Sequence, residues 1–362
     1  MKEVGDFMVH GGDIYTEGKL KGQELIDFSS NINPLGVPES FKKSLDEALK
    51  NVVNYPDIKY RMVRESLSRY EGINEDLFLL GNGAAEIIDL SISTLKSILI
   101  PAPSFAEYHL SAEKWGVHIE YFHMKEKKNE DGTYSMYIDY EKLLQELDGV
   151  EGVILANPNN PDGSVLDKES VKKILQHCQK TGKKVIIDEA FIHFTLLEDQ
   201  SLVKWVNEFS CLLVIKALTK YYGMPGIRFG YGITSSKEMR DEIEKKQNPW
   251  NINSFAVEAV KSVLFDDDYN KKSIEWLENT REPFVKRLMG FSVFNKVYRT
   301  LGNYVLCELN GITSKEFYDA CLERGFLIRN ADNYRGLSEY NIRLAIKDKD
   351  RNEKLFDMLN NL

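Results

Sequence analysis

Four short groups of residues in the middle of the chain carry side chains that can do chemistry. They are Asn157-Pro158-Asn159-Asn160-Pro161, Asp188-Glu189-Ala190-Phe191, the pair Thr219-Lys220, and Arg228 within Gly226-Ile227-Arg228-Phe229-Gly230. An unprotonated lysine amine attacks carbonyl groups, and an arginine grips phosphate through a planar fork of donors. The set therefore indicates chemistry on a carbonyl compound that also carries a phosphate.

Pyridoxal phosphate needs all of these partners, because it contains an aldehyde, a protonated ring nitrogen, a phenolic oxygen and a phosphate. We expect Lys220 to form the Schiff base and Asp188 to hold the ring nitrogen protonated, so that these two residues are catalytic. We expect Asn157 to donate to the phenolic oxygen, and Thr219 and Arg228 to bind the phosphate. Taken singly, these residues would be turn residues, caps or surface charges, and their joint occurrence carries the prediction.

Strand-like apolar runs come directly before these groups, at residues 152–156, 184–187 and 212–215. A helical pattern at 166–180 separates two of the runs, which favours right-handed βαβ units and a parallel sheet. We expect Asp167 or Ser170 to cap this helix. Ligands bind at the carboxyl edge of such a sheet, which is where Asp188 would lie.

The chain resembles the fold-type I pyridoxal-phosphate enzymes, in the histidinol-phosphate aminotransferase branch of the class I/II aminotransferases, over nearly its whole length. Within that branch it is most similar to the threonine-phosphate decarboxylases of cobalamin biosynthesis. Four strings carry this finer resemblance: His10-Gly11-Gly12, residues 27–36 (DFSSNINPLG), residues 247–253 (QNPWNIN) and Leu327-Ile328-Arg329-Asn330.

The resemblance implies an α/β fold with two domains. The large domain would be a three-layer αβα structure with a mainly parallel sheet, and we assign it to residues 36–266. A smaller α+β domain would combine residues 1–35 with residues 267–362.

The resemblance also implies further cofactor contacts. Gly83, Ala84 and Ala85 would line the phosphate at a helix N-terminus, and Tyr108 would stack on the pyridine ring. Tyr55 matches the tyrosine that reaches the cofactor phosphate of the neighbouring subunit, which implies a homodimer with shared active sites.

Two positions depart from the pattern of the histidinol-phosphate aminotransferases. Phe191 stands where those enzymes usually have a tyrosine, and the decarboxylases tolerate phenylalanine there. Asp162 replaces the usual threonine after Asn-Pro-Asn-Asn-Pro, while Gly163 keeps the turn-forming position. We expect no loss of cofactor binding from either.

On the substrate side, Arg343 matches the arginine that binds a substrate anion in the wider family, and Arg329 lies one strand earlier. Two arginines in one pocket favour a dianionic phosphate over a single carboxylate. His10, Asn33 and Asn157 would add contacts. The alternatives are that Arg329 makes a structural ion pair and that His10 only packs.

The resemblance implies an enzyme that decarboxylates L-threonine O-3-phosphate to aminopropanol phosphate. A histidinol-phosphate aminotransferase with an oxo-acid acceptor would use the same cofactor residues, and a serine-phosphate decarboxylase would differ by one substrate methyl group. A non-catalytic ligand-binding module is the remote alternative, and the presence of Lys220 speaks against it.

Composition restricts the partners and the location. The 362 residues have a formal net charge of −9, which argues against nucleic acid or an anionic membrane as the main partner. The sequence shows no basic leader followed by an apolar stretch, so we expect a cytoplasmic protein. The four cysteines are scattered and the histidines lack ligand spacing, so we assign no metal.

Overall fold

The computed structural model describes residues 11–197 and 199–362, and these residues form eleven α-helices and fifteen β-strands. The helices are α1 (Glu39–Asn51), α2 (Arg61–Glu71), α3 (Ala84–Ile92), α4 (Ala106–Trp115), α5 (Tyr140–Leu147), α6 (Lys168–Thr181), α7 (Lys237–Glu244), α8 (Ser254–Val263), α9 (Asp267–Leu288), α10 (Ser314–Glu323) and α11 (Lys349–Asn360). The strands are β1 (Ile26–Asp27), β2 (Phe78–Gly81), β3 (Ser97–Ala102), β4 (His118–His123), β5 (Lys125–Lys128), β6 (Tyr134–Tyr137), β7 (Gly152–Ala156), β8 (Lys184–Asp188), β9 (Leu212–Ala217), β10 (Gly230–Ile233), β11 (Phe294–Val297), β12 (Tyr304–Leu309), β13 (Phe326–Leu327), β14 (Arg329–Asn330) and β15 (Asn341–Ala345).

The largest sheet has seven strands in the order β2-β10-β9-β8-β7-β3-β4. Strands β9, β8, β7, β3 and β4 run parallel, whereas β10 is antiparallel to both β2 and β9. The predicted α/β class with a mainly parallel sheet is confirmed. The carboxyl ends of β7, β8 and β9 meet at one edge, because these three strands are neighbours.

Apolar side chains cover both faces of this sheet, because successive residues of a strand point to opposite sides. On β9, Leu213 and Ile215 pack with residues of α3, α4 and α7. Leu212 and Val214 pack with residues of α2, α5, α6 and α8 on the other face. The sheet is therefore the middle of three layers, as predicted.

Helix α6, which connects β7 to β8, has the signals that the sequence predicted. The Asp167 side chain accepts a hydrogen bond from the Ser170 backbone N–H at 2.9 Å, so Asp167 is the cap. The helix ends at Gly182, whose φ of 70° suits a residue without a Cβ atom. This crossover places β8 beside β7 in parallel register.

A second sheet, in the order β11-β12-β15-β14, packs with α9, α10 and α11 around its own apolar core. Strand β1 pairs in parallel with β13, with Ile26 opposite Phe326. Early chain residues thus join an element from the C-terminal part. The division into residues 36–266 and residues 1–35 with 267–362 stays a prediction.

No helix in the described part of the chain is long and apolar enough to cross a membrane. The predicted cytoplasmic location stays a prediction.

Strand β10 positions the start of α3 through Gly230. A Cβ atom added at Gly230 would lie 2.2 Å from the backbone nitrogen of Ala84. The helix can approach the sheet this closely only because the side chain is missing.

We expect Gly230→Ala to lower the free energy of unfolding by about 1–3 kcal/mol, because backbone must move to admit the methyl group. Urea unfolding followed by circular dichroism measures the change. Gly226→Ala is the matched control, since no atom lies within 4 Å of its Cβ position, and it should change stability by less than about 1 kcal/mol. Equal effects of the two substitutions would contradict the proposed close approach.

Candidate active site

A cavity of about 330 Å³ lies at the carboxyl edge of β7, β8 and β9, where the main sheet faces β14 and β15. Its wall contains six residues for which the sequence predicted a cofactor-binding or catalytic role, namely Ala84, Ala85, Tyr108, Asp188, Thr219 and Lys220. It also contains Phe191, which departs from the pattern of the aminotransferases. It also contains the three predicted arginines, Arg228, Arg329 and Arg343. The fold thus brings together these ten residues, which lie up to 259 positions apart, from Ala84 to Arg343.

Asp188 is the last residue of β8 and its carboxylate is buried. One carboxylate oxygen accepts the Ala190 backbone N–H at 2.9 Å, and the other accepts the Tyr108 hydroxyl at 2.8 Å. Burial raises the pKa of Asp188, whereas these two hydrogen bonds and the charge of Lys220 oppose the rise. The carboxylate can hold a protonated ring nitrogen in this position.

Lys220 follows β9 and extends over Phe191, with its Nζ atom 5.6 Å from the ring centroid. Burial lowers the pKa of Lys220 to about 8, and the positive charges of Arg343 and Lys347 add to this effect. Its amine is therefore unprotonated far more often near neutral pH than an ordinary lysine amine. That is the property a Schiff-base lysine needs.

The start of α3 and the guanidinium of Arg228 lie side by side. Gly83 precedes the helix with a φ of 84°, and no side chain caps the first turn. A Cβ atom on Gly83 would lie 2.4 Å from a terminal nitrogen of Arg228, so the missing side chain admits the guanidinium. A helix N-terminus and an arginine together suit a phosphate.

Tyr108 lies on α4 with its ring buried against the sheet. The edge of the Phe105 ring approaches it at a centroid distance of 5.7 Å and an angle of 88°. Its hydroxyl donates to Asp188. Stacking of this ring on the cofactor stays a prediction.

Arg329 and Arg343 are direct cross-strand partners on β14 and β15, and both are buried. Arg343 donates to the Ser29 carbonyl at 2.9 Å, to the Tyr334 hydroxyl at 3.0 Å and to Asn160. Arg329 donates to Asn333 at 2.8 Å. Among the described residues, the buried Nε atom of Arg343 has no hydrogen-bond partner.

The predicted site residues Asn33 and Asn157, like Gly83, do not line the cavity in the described structure. Asn33 is buried, and its amide donates to the Tyr221 carbonyl and to the Ser273 hydroxyl, each at 2.8 Å. Asn157 is buried, and its side chain bonds with the Gln200 carbonyl and the Leu166 N–H, each at 3.2 Å. Both amides hold loops together in this structure, so their proposed ligand contacts receive no support from the geometry.

Two more predictions concern residues away from the described cavity. Tyr55 is 79% exposed, with its ring 4.7 Å from that of Trp250. Its predicted role requires a second subunit, so it stays a prediction. His10 lies outside the described residues.

Sequence reasoning missed several residues of the cavity wall. Asn160 lies on the wall and accepts hydrogen bonds from Arg343 and from the Tyr334 hydroxyl. Asn31 also lies there, buried, with no partner for its side-chain oxygen among the described residues. Two sequence features could have identified them: Asn160 belongs to the pair Asn159-Asn160, and Asn31 lies within the string at residues 27–36.

These residues fit pyridoxal phosphate. A lysine with a lowered pKa, a buried carboxylate and a helix N-terminus beside an arginine surround one cavity at the carboxyl edge of the main sheet. The fold and this donor set define a pyridoxal-phosphate-dependent enzyme of fold type I, and the predicted class and cofactor are confirmed by the comparisons that follow.

Residues 23–359 match the family model for aminotransferase class I and II, and the chain belongs to this family. It is 37% identical to a candidate threonine-phosphate decarboxylase of Caldanaerobacter subterraneus subsp. tengcongensis, over 98% of this chain and 93% of that protein. It is 31% identical to the threonine-phosphate decarboxylase of Salmonella typhimurium, over 98% and 96% of the two chains. A solved structure, the histidinol-phosphate aminotransferase from Clostridium acetobutylicum, is 42% identical with a TM-score of 0.87, covering 93% of this chain and 100% of that chain.

The lowered pKa of Lys220 predicts an unusual pH dependence of its reactivity. In the apoenzyme, acylation of Lys220 by an amine-directed reagent should rise with pH to a midpoint of about 8, because only the unprotonated amine reacts. Mass spectrometry of digested protein measures the extent. A midpoint near the ordinary lysine value of about 10.4 would contradict the assignment.

Lys216 is the matched control, since it is a buried lysine near the end of β9, the strand that Lys220 follows. Burial lowers its pKa, but the charges of Glu71, 2.9 Å away, and of Glu189 outweigh burial and raise it. It should therefore remain unmodified through the same range.

Proposed function

We propose that the enzyme decarboxylates L-threonine O-3-phosphate to aminopropanol phosphate and carbon dioxide. The observation that carries the phosphorylated substrate is the pairing of two buried arginines, Arg329 and Arg343, directly across two strands. Like charges placed opposite each other destabilise a sheet, and a bound dianion would remove that cost. A phosphate group offers enough oxygens for both guanidinium groups.

The charge balance of the wall supports the same substrate. Its described residues include four cations, Lys220, Arg228, Arg329 and Arg343, against the two acids Asp188 and Glu107. The cofactor phosphate would neutralise the end near Arg228. Arg343, whose buried Nε atom has no hydrogen-bond partner among the described residues, would remain for an anion carried by the substrate.

In this proposal the aldehyde, the ring nitrogen, the ring face and the phosphate of the cofactor each have a named residue. When bound, pyridoxal phosphate supplies an electron-withdrawing ring conjugated to the substrate amino group. Lys220 would bind its aldehyde carbon and Asp188 its ring nitrogen, with Tyr108 against the ring face. The phosphate would be held by Thr219, Arg228 and the start of α3 at Gly83, Ala84 and Ala85.

The arginine pair would also select which bond breaks. With both arginines on the phosphate, the substrate carboxylate would have no guanidinium to hold it in the plane of the ring. A carboxylate perpendicular to that plane is positioned to leave as carbon dioxide. Lys220 would then donate the proton that replaces it on the Cα atom.

Two wall residues favour the decarboxylase over the aminotransferase. Gly11, which belongs to the string that resembles the decarboxylases, lies on the wall, and a Cβ atom there would be 2.4 Å from the Ser29 carbonyl oxygen. Phe191 presents a ring without a hydroxyl to Lys220. The two decarboxylase relatives support the same choice.

The second candidate is histidinol-phosphate aminotransferase, which the 42% identity to the Clostridium acetobutylicum protein favours. Here Lys220 would remove a proton from the Cα atom, and an oxo acid would accept the amino group. Serine phosphate is an alternative substrate for the decarboxylase, since one methyl group gives only about 1–3 kcal/mol of discrimination.

Incubation of holoenzyme with threonine phosphate, serine phosphate, or histidinol phosphate plus an oxo acid tests the proposal. NMR should show aminopropanol phosphate and release of carbon dioxide with threonine phosphate. Amino transfer from histidinol phosphate without carbon dioxide release from the other two would overturn the proposal in favour of the aminotransferase.

We expect Arg343→Lys to raise the KM for threonine phosphate at least about tenfold, because a lysine keeps the charge but loses the fork of donors. Steady-state kinetics measures it. The cofactor dissociation constant should change less than about threefold. Arg228→Lys is the control, and it should change the cofactor dissociation constant more than the KM for threonine phosphate. An unchanged KM in Arg343→Lys would remove Arg343 from the substrate site.

We further propose a homodimer with shared sites. Apolar side chains cluster on the surface between the end of α1 and the start of α2, with Val53 85% exposed and Tyr55 79% exposed, and Leu49, Val52, Ile58 and Met62 also exposed. A contiguous apolar patch of this kind marks an interaction surface. A second copy of the chain would cover it and bring Tyr55 to the partner's cofactor phosphate.

Val53→Glu should weaken the dimer at least about tenfold, because an unpaired carboxylate would be buried at the interface. Sedimentation equilibrium measures the association. Leu20→Glu, at another residue that is 79% exposed, should have no effect. A wild-type chain that is monomeric at micromolar concentration would refute the dimer.

A further inference from the structure

Tyr108 has a functional group that stacking does not use. Its hydroxyl donates to a carboxylate oxygen of Asp188 at 2.8 Å, and both side chains are at least nine-tenths buried. The second carboxylate oxygen takes the Ala190 N–H at 2.9 Å. Among the described residues, each oxygen of Asp188 therefore has one donor and retains lone pairs for a ligand.

Packing fixes this hydroxyl in place. The Tyr108 ring lies among the side chains of α3, α4 and the main sheet, and Phe105 closes its edge. Burial and the Asp188 charge raise the pKa of Tyr108 well above its ordinary value, so the hydroxyl stays protonated and remains a donor.

The Tyr108 hydroxyl matters because burial shifts the Asp188 carboxyl group toward its protonated form. Burial raises its pKa, and the Ala190 N–H, the Tyr108 hydroxyl and the Lys220 charge oppose this. The charge of Lys220 is not constant, since its amine must lose a proton to react. The two hydrogen bonds are the contributions that persist.

We propose that Tyr108 is a positioning residue that acts through Asp188, with its hydroxyl keeping the carboxylate ionised and directed at the cofactor's ring nitrogen. This inference rests on the proposed contact between Asp188 and that nitrogen. It assigns the ring face and the hydroxyl of Tyr108 separate roles.

Tyr108→Phe tests it, because the substitution keeps the ring and removes one oxygen. The dissociation constant of pyridoxal phosphate, measured by fluorescence titration of apoenzyme, should rise about tenfold. In an Asp188→Asn background the same substitution should change it less than twofold, because the acceptor charge is gone. Circular dichroism verifies that each variant is folded.

Tyr231→Phe is the matched control. Tyr231 is also buried in the main sheet and donates to a buried carboxylate, that of Glu71, at 2.6 Å, but it does not line the described cavity. It should leave cofactor affinity within twofold of wild type.

Three outcomes separate the possibilities. Unchanged affinity in Tyr108→Phe overturns the inference and leaves the proposed function intact. An equal loss with and without Asp188→Asn also overturns it, since the hydroxyl would then act independently of Asp188. Unchanged cofactor affinity in Asp188→Asn alone removes Asp188 from the cofactor site. The proposed contact of Asp188 with the ring nitrogen and the proposed role of Tyr108 then both fail.

Discussion

The site depends on the parallel pairing of β8 with β9. Asp188 ends β8 opposite Ile215 of β9, and the chain then leaves β9 toward Lys220 at the same edge. Parallel strands present their carboxyl ends together, so an acid and an amine from separate strands face one cavity. The helices on both faces serve this pairing, because they bury the sheet that holds the two groups in place.

Burial then sets the chemistry of these groups in opposite directions. It lowers the pKa of Lys220, which favours the neutral, nucleophilic amine. It raises the pKa of Asp188, which opposes the ionised carboxylate that would pair with a protonated ring nitrogen. Hydrogen bonds from Tyr108 and Ala190 counter the second effect. The positive charge of Arg343 adds to the lowering of the Lys220 pKa.

Much of this was predictable, because apolar runs and the polar residues after them identify strand ends. The fold class, the cap of α6 and the clustering of Lys220, Asp188 and Arg228 follow from such local patterns. The cross-strand register of Arg329 with Arg343 does not, since it depends on how a short edge strand pairs. The sequence also does not predict that Asn160, and not Asn157, lies on the cavity wall. The alternation of side chains between the two faces of a strand is lost once the chain leaves β7.

The most direct test of the account is to reduce the holoenzyme with borohydride, digest it and locate the pyridoxyl group by mass spectrometry. We predict that the group is attached to Lys220. Attachment to Lys216 or Lys347, the other buried lysines near this edge, or no attachment at all, would contradict the site as described.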